Sequence, residues 1–269
     1  MSGETTKVIA VANQKGGVGK TTSVINLGYA LTKRGKRVLL IDLDPQASLS
    51  QCLGISVDEL ESSIYDVMRG ESELPSIITE LPAIGPATNG MNGTRVHVAP
   101  AEMSMSTIER ELASRKVGFE SVFEKALKPV RGAYDYVLID CRPSTELLEV
   151  NALRAADYLL IPVLSELVSL YGTSQLVDLY AGVKEHYNPS LEILGVLLTK
   201  VDRRTNLADE VAQQVRSYFG QKVFDTEIRV NVSLAEAPGV HGSIFQYAPR
   251  SRGAEDYQAL AEEVMARAE

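Results

Sequence analysis

The stretch that most constrains the fold lies near the amino terminus, where an apolar run passes through a glycine-rich turn into a helical pattern. Residues 8–22 read VIAVANQKGGVGKTT. A strand, a glycine-rich turn and a helix in this order form a phosphate cradle, because glycines let backbone N–H groups converge and the helix points its positive end at an anion. The order therefore predicts a phosphate-binding loop.

This loop departs by one residue from the usual phosphate-loop pattern G-x-x-x-x-G-K-[ST]. Gln14 stands where that pattern has its first glycine, and Lys15 adds a second lysine. The pattern assigns phosphate contacts to Lys20 and a Mg²⁺ contact to the Thr21 hydroxyl. A flexible turn without chemistry would also be rich in glycine and lysine, but the strand before it and the helix after it favour the phosphate loop.

Two further apolar strands end in acidic residues. Residues 38–44 (VLLIDLD) carry Asp42 and Asp44, and residues 134–140 (YDYVLID) end in Asp140. The carboxyl ends of strands are where ligands of open α/β sheets collect. An aspartate there orients Mg²⁺ or its bound water, as in a Walker B motif, although a helix N-cap would also explain Asp140 taken alone.

Composition argues against several classes of protein. The chain has 269 residues, of which 45% are hydrophobic, and its patterns alternate to the end without a long linker, so we expect one domain over 1–269. The two cysteines, Cys52 and Cys141, are too few for a disulfide scaffold and fit a reducing cytosol. Neither a signal peptide nor an apolar run approaching about 20 residues is visible. We therefore expect a cytoplasmic protein.

The rest of the pattern predicts a doubly wound sheet. Apolar runs indicate strands and a period near 3.6 indicates helices, whereas 82–94 is rich in turn-forming residues and is predicted as a loop. The expected fold is a three-layer α/β structure, a mostly parallel twisted sheet with helices on both faces. The predicted helices lie at 22–33, 57–69, 105–114, 119–128, 165–186 and 256–268, and the later strands at 95–99, 134–140, 158–163 and 191–199.

Together, the loop and the two aspartate-tipped strands resemble the ParA partition ATPases, a deviant Walker A group of P-loop NTPases. The resemblance extends from residue 8 to about 265 and includes the C-terminal segment 247–257. Matches to the family's T-x-I-P-R-N-V-R-L-S-E-A-P segment include Thr226, Ile228, Asn231, Glu236 and Pro238.

One departure from the family pattern occurs in the turn directly after Asp140. The family usually reads Asp-Cys-Pro-Pro-Ser here, and this chain has Arg142 in place of the first proline. The substitution leaves two interpretations open: a looser turn, or an arginine that contacts a partner.

The resemblance implies an ATP-dependent switch for DNA segregation, with ATP and Mg²⁺ as cofactors and ATP hydrolysis as the reaction. The implied catalytic residues are Lys15, which reaches the phosphates held by the other subunit of an ATP-bound homodimer, Lys20, and Asp44, which positions or activates the attacking water. The implied Mg²⁺-binding residues are Thr21, Asp42 and Asp140. The implied nucleotide contacts are Gly16, Gly17, Val18, Gly19, Lys20, Thr21, Thr22, Asp202 and Asn231.

The resemblance also implies two macromolecular partners, a ParB/Spo0J-type activator and non-specific double-stranded DNA, and hence association with the nucleoid. The formal net charge is -8, but residues 200–252 carry eight basic and six acidic side chains, a weak sign of a polyanion partner. Arg204 matches a DNA-contacting arginine of the family. The second such arginine falls on Ser233, and we expect Arg229 to compensate. The acidic C-terminal tail disfavours a membrane partner.

Four alternatives remain. Residues 199–202 (TKVD) also fit the guanine-reading motif of GTPases, but the later family segment favours adenine. An ATPase of the same family that positions a protein cargo would share every motif, whereas a metal-insertion GTPase should show Cys or His clusters, and the three histidines are scattered. An iron–sulfur role for Cys141 lacks ligand spacing, so we expect a buried structural thiol.

Overall fold

The computed structural model describes residues 6–81, 95–114, 117–144, 146–165, 169–240 and 242–268, and the predicted loop at 82–94 lies outside these ranges. Within them, the chain forms one eight-stranded sheet. The strands are β1 Lys7–Val11, β2 Val38–Asp42, β3 Thr79–Glu80, β4 Val96–Ala99, β5 Tyr136–Asp140, β6 Tyr158–Leu164, β7 Glu192–Val201 and β8 Ile228–Arg229.

Helices of very different length connect these strands. Short 3-10 turns occur at Val57–Glu59, Phe119–Ser121, Lys128–Val130, Gly220–Lys222 and Ala237–Val240. The α-helices of the described residues are α1 Lys20–Lys33, α2 Ser48–Cys52, α3 Ile64–Arg69, α4 Leu74–Ile77, α5 Met105–Ala113, α6 Val122–Leu127, α7 Leu147–Ala155, α8 Ser169–His186, α9 Asn206–Phe219, α10 Val232–Glu236, α11 Ile244–Tyr247 and α12 Arg252–Arg267.

The strand order is β3-β4-β2-β5-β1-β6-β7-β8. Strand β3 pairs antiparallel with β4, and the other neighbouring strands pair in parallel. Because β1 lies between β5 and β6, the chain builds one side of the sheet first and then reverses to build the other. Such a reversal opens a crevice at the carboxyl ends of the strands next to β1.

Alternating side chains of the sheet contribute to two separate cores. In β1, Val8 and Ala10 belong to the cluster covered by α3 and α5 to α9, whereas Ile9 and Val11 belong to the cluster covered by α1, α11 and α12. Both faces of the sheet are therefore buried, which explains why the strands read as continuous apolar runs. The predicted three-layer, mostly parallel α/β fold is confirmed.

Helix α1 lies unusually close to the sheet. A Cβ atom added at Gly28 would come within 2.6 Å of the Leu40 Cδ2 atom in β2, so a larger residue would push the helix away from the strand. This close packing fixes the distance between the sheet and the helix that begins in the phosphate loop.

Two predicted helices differ from the observed ones. The helix predicted at 57–69 is a 3-10 turn, an extended break and then α3, because the Ser63 side chain accepts from the Tyr65 N–H while the Asp66 carboxylate accepts from the Ser63 N–H. This capping box starts a new helix at Ile64. The C-terminal helix starts at Arg252 rather than at residue 256, since Ser251 caps it by accepting from the Ala254 N–H.

Among the described residues, no helix combines the length and the apolar character that a membrane span requires.

Candidate functional site

The phosphate loop follows β1 at the reversal point of the sheet. Gly17 and Gly19 have φ angles of +73° and +88°, in the left-handed region that glycine adopts most easily. Gly19 is the N-cap of α1, and no side chain among the described residues caps that helix. The first backbone N–H groups of α1 are therefore directed towards the space above the loop, where an anion would bind.

Lys20 lies folded into the loop. Its ammonium group donates to the Asn13 carbonyl at 3.0 Å and to the Lys15 carbonyl at 3.3 Å, and the residue is 7% exposed. Burial lowers the pKa of Lys20, and the nearby Asp140 and Glu149 carboxyls partly offset this. A cation bound by neutral carbonyls can exchange them for phosphate oxygens, which carry charge and bind it more strongly.

Two side chains that the sequence reasoning missed or read differently hold this loop against the neighbouring strands. The Asn13 amide donates to the Pro162 carbonyl of β6 at 2.7 Å, and its oxygen accepts from the Lys15 N–H at 2.9 Å. The Thr199 hydroxyl of β7 donates to the Val18 carbonyl at 2.9 Å. No motif indicates Asn13 beyond its place in the loop, whereas Thr199 is the first residue of the motif at 199–202, which predicts a base contact.

Thr21 and Asp140 lie together as predicted. The Thr21 hydroxyl donates to Asp140 Oδ2 at 2.7 Å, while Asp140 Oδ1 is buried and has no hydrogen-bond partner among the described residues. Burial, together with the charge of Asp42, raises the pKa of Asp140 well above its usual range. A cation, or water bound to it, would satisfy this orphaned oxygen and favour the ionised form.

These groups fit Mg²⁺ better than a metal enclosed by protein ligands. Hydroxyl and carboxylate oxygens suit Mg²⁺, which usually keeps several waters and takes further oxygens from substrate phosphates. In the part of the chain that the structure describes, no group of three or more His, Cys, Asp or Glu side chains is arranged to hold a metal. The site thus resembles one completed by a nucleotide.

Asp42 is adjacent to Asp140, because the two residues are register partners on β2 and β5. Its oxygens already have protein donors: Oδ1 accepts from the Asp44 N–H at 3.2 Å, and Oδ2 accepts from the Ser50 N–H at 2.9 Å and the Ser50 hydroxyl at 2.7 Å. Burial raises the pKa of Asp42 to about 6. Asp42 therefore supports the loop that carries Asp44, and Ser50 is a member of the site that no motif indicated.

Asp44, on the loop after β2, is more accessible than Asp42 at the end of that strand. It is half-buried, and its Oδ1 accepts from the Gln46 N–H at 2.9 Å. The hydrogen bond orients the carboxylate beside the phosphate loop without enclosing it. Such a group can accept a proton from water.

The two residues predicted to contact the base make local bonds. Asp202 accepts from the Arg204 N–H at 3.1 Å, from Arg204 Nε at 2.8 Å and from Arg204 Nη2 at 2.7 Å. These hydrogen bonds lower the pKa of Asp202 to about 2. The Asn231 oxygen accepts from the Ser233 N–H at 2.9 Å and caps α10. Asp202, predicted to contact the nucleotide base, is therefore paired with Arg204, predicted to contact DNA.

The two predicted DNA-contacting arginines differ in environment. The Arg204 side chain is 86% exposed. The Arg229 side chain is 37% exposed, and its Nε donates to Asp256 Oδ1 at 2.9 Å and Oδ2 at 3.1 Å while its Nη2 donates to Oδ1 at 2.5 Å. Arg229 thus connects β8 to α12, a structural contact that the sequence did not predict.

Cys141 is 2% exposed, and burial raises the pKa of its thiol well above the usual range. Cys52 is a second free cysteine and is half-buried. The prediction of a buried thiol at Cys141 is confirmed.

Comparisons with known proteins agree with this geometry. A family model described as an AAA domain matches residues 6–193. The chain is 44% identical to the sporulation initiation inhibitor protein Soj of Bacillus subtilis, over 97% of this chain and 98% of Soj. It is 42% identical to the chromosome partitioning protein ParA of Caulobacter vibrioides, over 99% of this chain and 97% of that protein.

A solved structure is also similar over most of its length. Cobyrinic acid a,c-diamide synthase from Mycobacterium smegmatis, with bound ADP and magnesium, superposes with a TM-score of 0.81 at 33% identity, covering 96% of this chain and 93% of that one. The curated relatives favour partition over the cargo-positioning and metal-insertion alternatives. With this identity over nearly the whole length of both proteins, the chain belongs to the Soj/ParA family of partition ATPases.

Proposed function

We propose that residues 1–269 form one ATPase domain that binds ATP with Mg²⁺, dimerises, binds DNA without sequence preference and hydrolyses ATP to ADP and phosphate. The observation that carries the proposal is the phosphate loop itself, in which a buried Lys20 ammonium and the Thr21–Asp140 pair lie at the end of β1. A relative named as a chromosome partitioning protein is 42% identical over 99% of this chain, which supports the same use here.

In this proposal, each polar group near the loop has one role. Lys20 exchanges its carbonyl partners for phosphate oxygens, and the backbone N–H groups of Gly16, Gly17, Val18, Gly19 and Thr22 donate to the same phosphates. Thr21 and Asp140 lie where Mg²⁺ would bind, and Asp42 lies next to Asp140 on the neighbouring strand. Bound Mg²⁺ supplies positive charge where phosphoryl transfer develops negative charge.

The attacking water and the partner subunit complete the reaction. The Asp44 carboxylate accepts a hydrogen bond or a proton from the water, and Lys15, half-buried in the loop, reaches the phosphates held by the other subunit. Asp202 and Asn231 lie on the side of the base. A ParB-type activator hastens hydrolysis and releases the dimer from the nucleoid DNA.

The first experiment separates binding from hydrolysis. Lys20→Ala is expected to abolish ATP binding, because it removes ground-state phosphate contacts, whereas Asp44→Ala is expected to bind ATP and lose about 100-fold or more in turnover, because only the water depends on Asp44. Binding is measured with a fluorescent ATP analogue and turnover by phosphate release. Lys33→Ala, at the far end of α1, serves as the control and should behave as the wild type.

Parental turnover in Asp44→Ala would remove that residue from the reaction. The same titration tests the base, since unlabelled ATP should displace the analogue far better than GTP does. Equal or better displacement by GTP would support the GTPase alternative for residues 199–202 and contradict the proposal.

A further inference from the structure

Arg142 replaces a proline of the family pattern, and the structure gives its side chain specific partners. Its Nη1 donates to Glu109 Oε2 on α5 at 2.8 Å and lies 3.2 Å from Glu146 Oε2. The side chains of Arg142 and Glu109 are 29% and 19% exposed. An arginine–carboxylate hydrogen bond shielded from water in this way is stronger than a pair on the open surface.

Glu109 makes a second contact at the beginning of α7. Within the described part of the chain, the N-cap residue of this helix, Glu146, makes no side-chain capping bond. Instead, Glu109 Oε1 accepts from the Leu148 N–H at 3.2 Å, so a carboxylate from another helix caps α7. A negative charge at this position also interacts favourably with the helix dipole.

The turn between Asp140 and α7 is thus held at several points. Besides the Arg142 side chain, the Ser144 N–H donates to the Arg142 carbonyl at 3.0 Å and to Glu149 Oε2 at 3.3 Å. Asp140 itself belongs to β5, immediately before this turn. A displacement of the turn would therefore move the carboxylate whose Oδ1 has no partner among the described residues.

Helix α5 is connected to the other acidic strand end as well. The Ala101 N–H, a few residues before α5, donates to the Ser50 hydroxyl at 3.0 Å, and that hydroxyl donates to Asp42 Oδ2 at 2.7 Å. One segment, from Ala101 to Glu109, thus contacts the supports of both Asp42 and Asp140.

We propose that Glu109 and Arg142 form a clamp that positions the turn after Asp140 against α5 and so fixes Asp140 for a Mg²⁺-bound nucleotide. They are positioning residues, because neither lies in the phosphate loop. Where the family pattern has a proline, which would stiffen the turn, this chain has the ion pair. The proposal rests on the proposed function only for its effect on Mg²⁺.

The first test measures amide hydrogen exchange in the nucleotide-free protein. Arg142→Ala and Glu109→Ala should each speed exchange at the Ser144 and Leu148 amides by about tenfold, as expected for the loss of a hydrogen bond to a charged group. Glu109→Gln keeps an acceptor for Leu148 but loses the charge, so its effect should be smaller at Leu148. Adding Arg142→Ala to Glu109→Ala should cause little further change, since both remove one pair.

The second test asks how much Mg²⁺ strengthens binding of a fluorescent ATP analogue. Arg142→Ala should reduce this gain by about tenfold, as for other residues that orient metal ligands, while affinity without Mg²⁺ stays at the wild-type value. Arg142→Lys, which keeps a charge, should restore part of the gain. The matched control is Arg154→Ala, because Arg154 joins α7 to α6 through Glu124 at 2.9 Å and is 22% exposed.

The outcomes distinguish the proposals. Wild-type exchange at Ser144 and Leu148 in Arg142→Ala would overturn the clamp. Faster exchange with an unchanged Mg²⁺ gain, or an equal loss in Arg154→Ala, would reduce the pair to a structural contact and overturn its positioning role. If Mg²⁺ does not increase the affinity of the wild-type protein for the ATP analogue, the proposed function is overturned. The hydrogen-exchange data would still decide whether the clamp exists.

Discussion

Glu149 is a buried carboxyl that no sequence motif indicated. It is 1% exposed, and its Oε1 has no hydrogen-bond partner among the described residues. Burial raises its pKa from 4.5 to about 8, against the opposing effects of the Ser144 N–H and the Lys20 charge. The folded protein therefore retains a proton on Glu149 at neutral pH, because an unpaired buried charge is expensive.

This proton makes stability depend on pH in a predictable direction. Between pH 5 and 8 the folded state holds a proton that the unfolded state has released, so the free energy of unfolding falls as pH rises, by about 1.4 kcal/mol per pH unit for one proton. Glu149→Gln cannot ionise. Its stability should equal that of the wild type near pH 5 and exceed it increasingly towards pH 8, as measured by urea unfolding at several pH values.

Asp42 and Asp140 are present in both proteins, so their contributions to the pH dependence of stability cancel when the two curves are compared. Glu185→Gln, at an exposed position of α8, should follow the wild-type curve. If the curves of the wild type and Glu149→Gln run parallel from pH 5 to 8, the carboxyl is not protonated in the folded state.

At the scale of single residues, the sequence predicted the side chains that have motifs. Thr21 and Asp140 lie together because both sit at the ends of elements whose order the sequence reveals. The sequence did not predict the roles of Ser50, Asn13 and Glu109, because a serine, an asparagine or a glutamate has no fixed spacing to the partners it contacts. Their contacts depend on which loops the folded sheet brings together.

At the scale of elements, the ion pair between β8 and α12 should contribute strongly to stability. Asp256 is 7% exposed and accepts from Arg229 Nε, from Arg229 Nη2 and from the Arg229 backbone N–H at 3.0 Å. Breaking a fully buried pair costs about 3–5 kcal/mol because the remaining charge is left unpaired. Since Arg229 is partly exposed, we expect Arg229→Ala to lower the free energy of unfolding by about 2–3 kcal/mol.

Arg204→Ala is the matched control, because its pair with Asp202 lies on the surface and should change stability little. Chemical denaturation of both variants makes the comparison. Equal stability of Arg229→Ala and the wild type would contradict the structural role, and Arg229 would then remain available for the DNA contact predicted from the resemblance.

The elements themselves were predicted unevenly. Several long elements agree with the prediction within a few residues, as for β5 and α1, but helices α7 and α9 were not predicted. The helix expected at 57–69 was wrong in its first half, because the capping box at Ser63 outweighs the continuous apolar pattern. The short strands β3 and β8 were not predicted, since two residues carry no detectable period.

At the scale of the whole molecule, the proposed switch depends on an ATP-bound dimer. We expect Lys15→Ala to bind ATP as a monomer, because it lacks the charge that reaches the partner's phosphates. Arg204→Ala should dimerise normally and bind duplex DNA more weakly, with the slope of log affinity against log salt reduced by about 0.9 for each phosphate that the variant no longer neutralises. Sedimentation with ATP measures the dimer, and binding to unrelated duplexes at several salt concentrations measures the interaction with DNA.

Arg95→Ala provides the control for charge alone, because this exposed arginine immediately precedes β4, at the opposite end of the sheet from the phosphate loop. A normal ATP-dependent dimer in Lys15→Ala would remove that lysine from the interface. DNA binding by the nucleotide-free protein equal to that of the ATP-bound form would contradict the switch.

The sequence by itself determined the α/β class, the phosphate loop, the two aspartate-tipped strands and the family. These features are encoded by residues close together in the chain, through periodicity, glycine conformation and short motifs. Only the tertiary structure decided that Arg142 pairs with Glu109, that Arg204 pairs with Asp202 and that Glu149 is buried with no partner for its Oε1 among the described residues. Side-chain pairing and burial depend on how distant elements pack, and packing is a property of the folded chain as a whole.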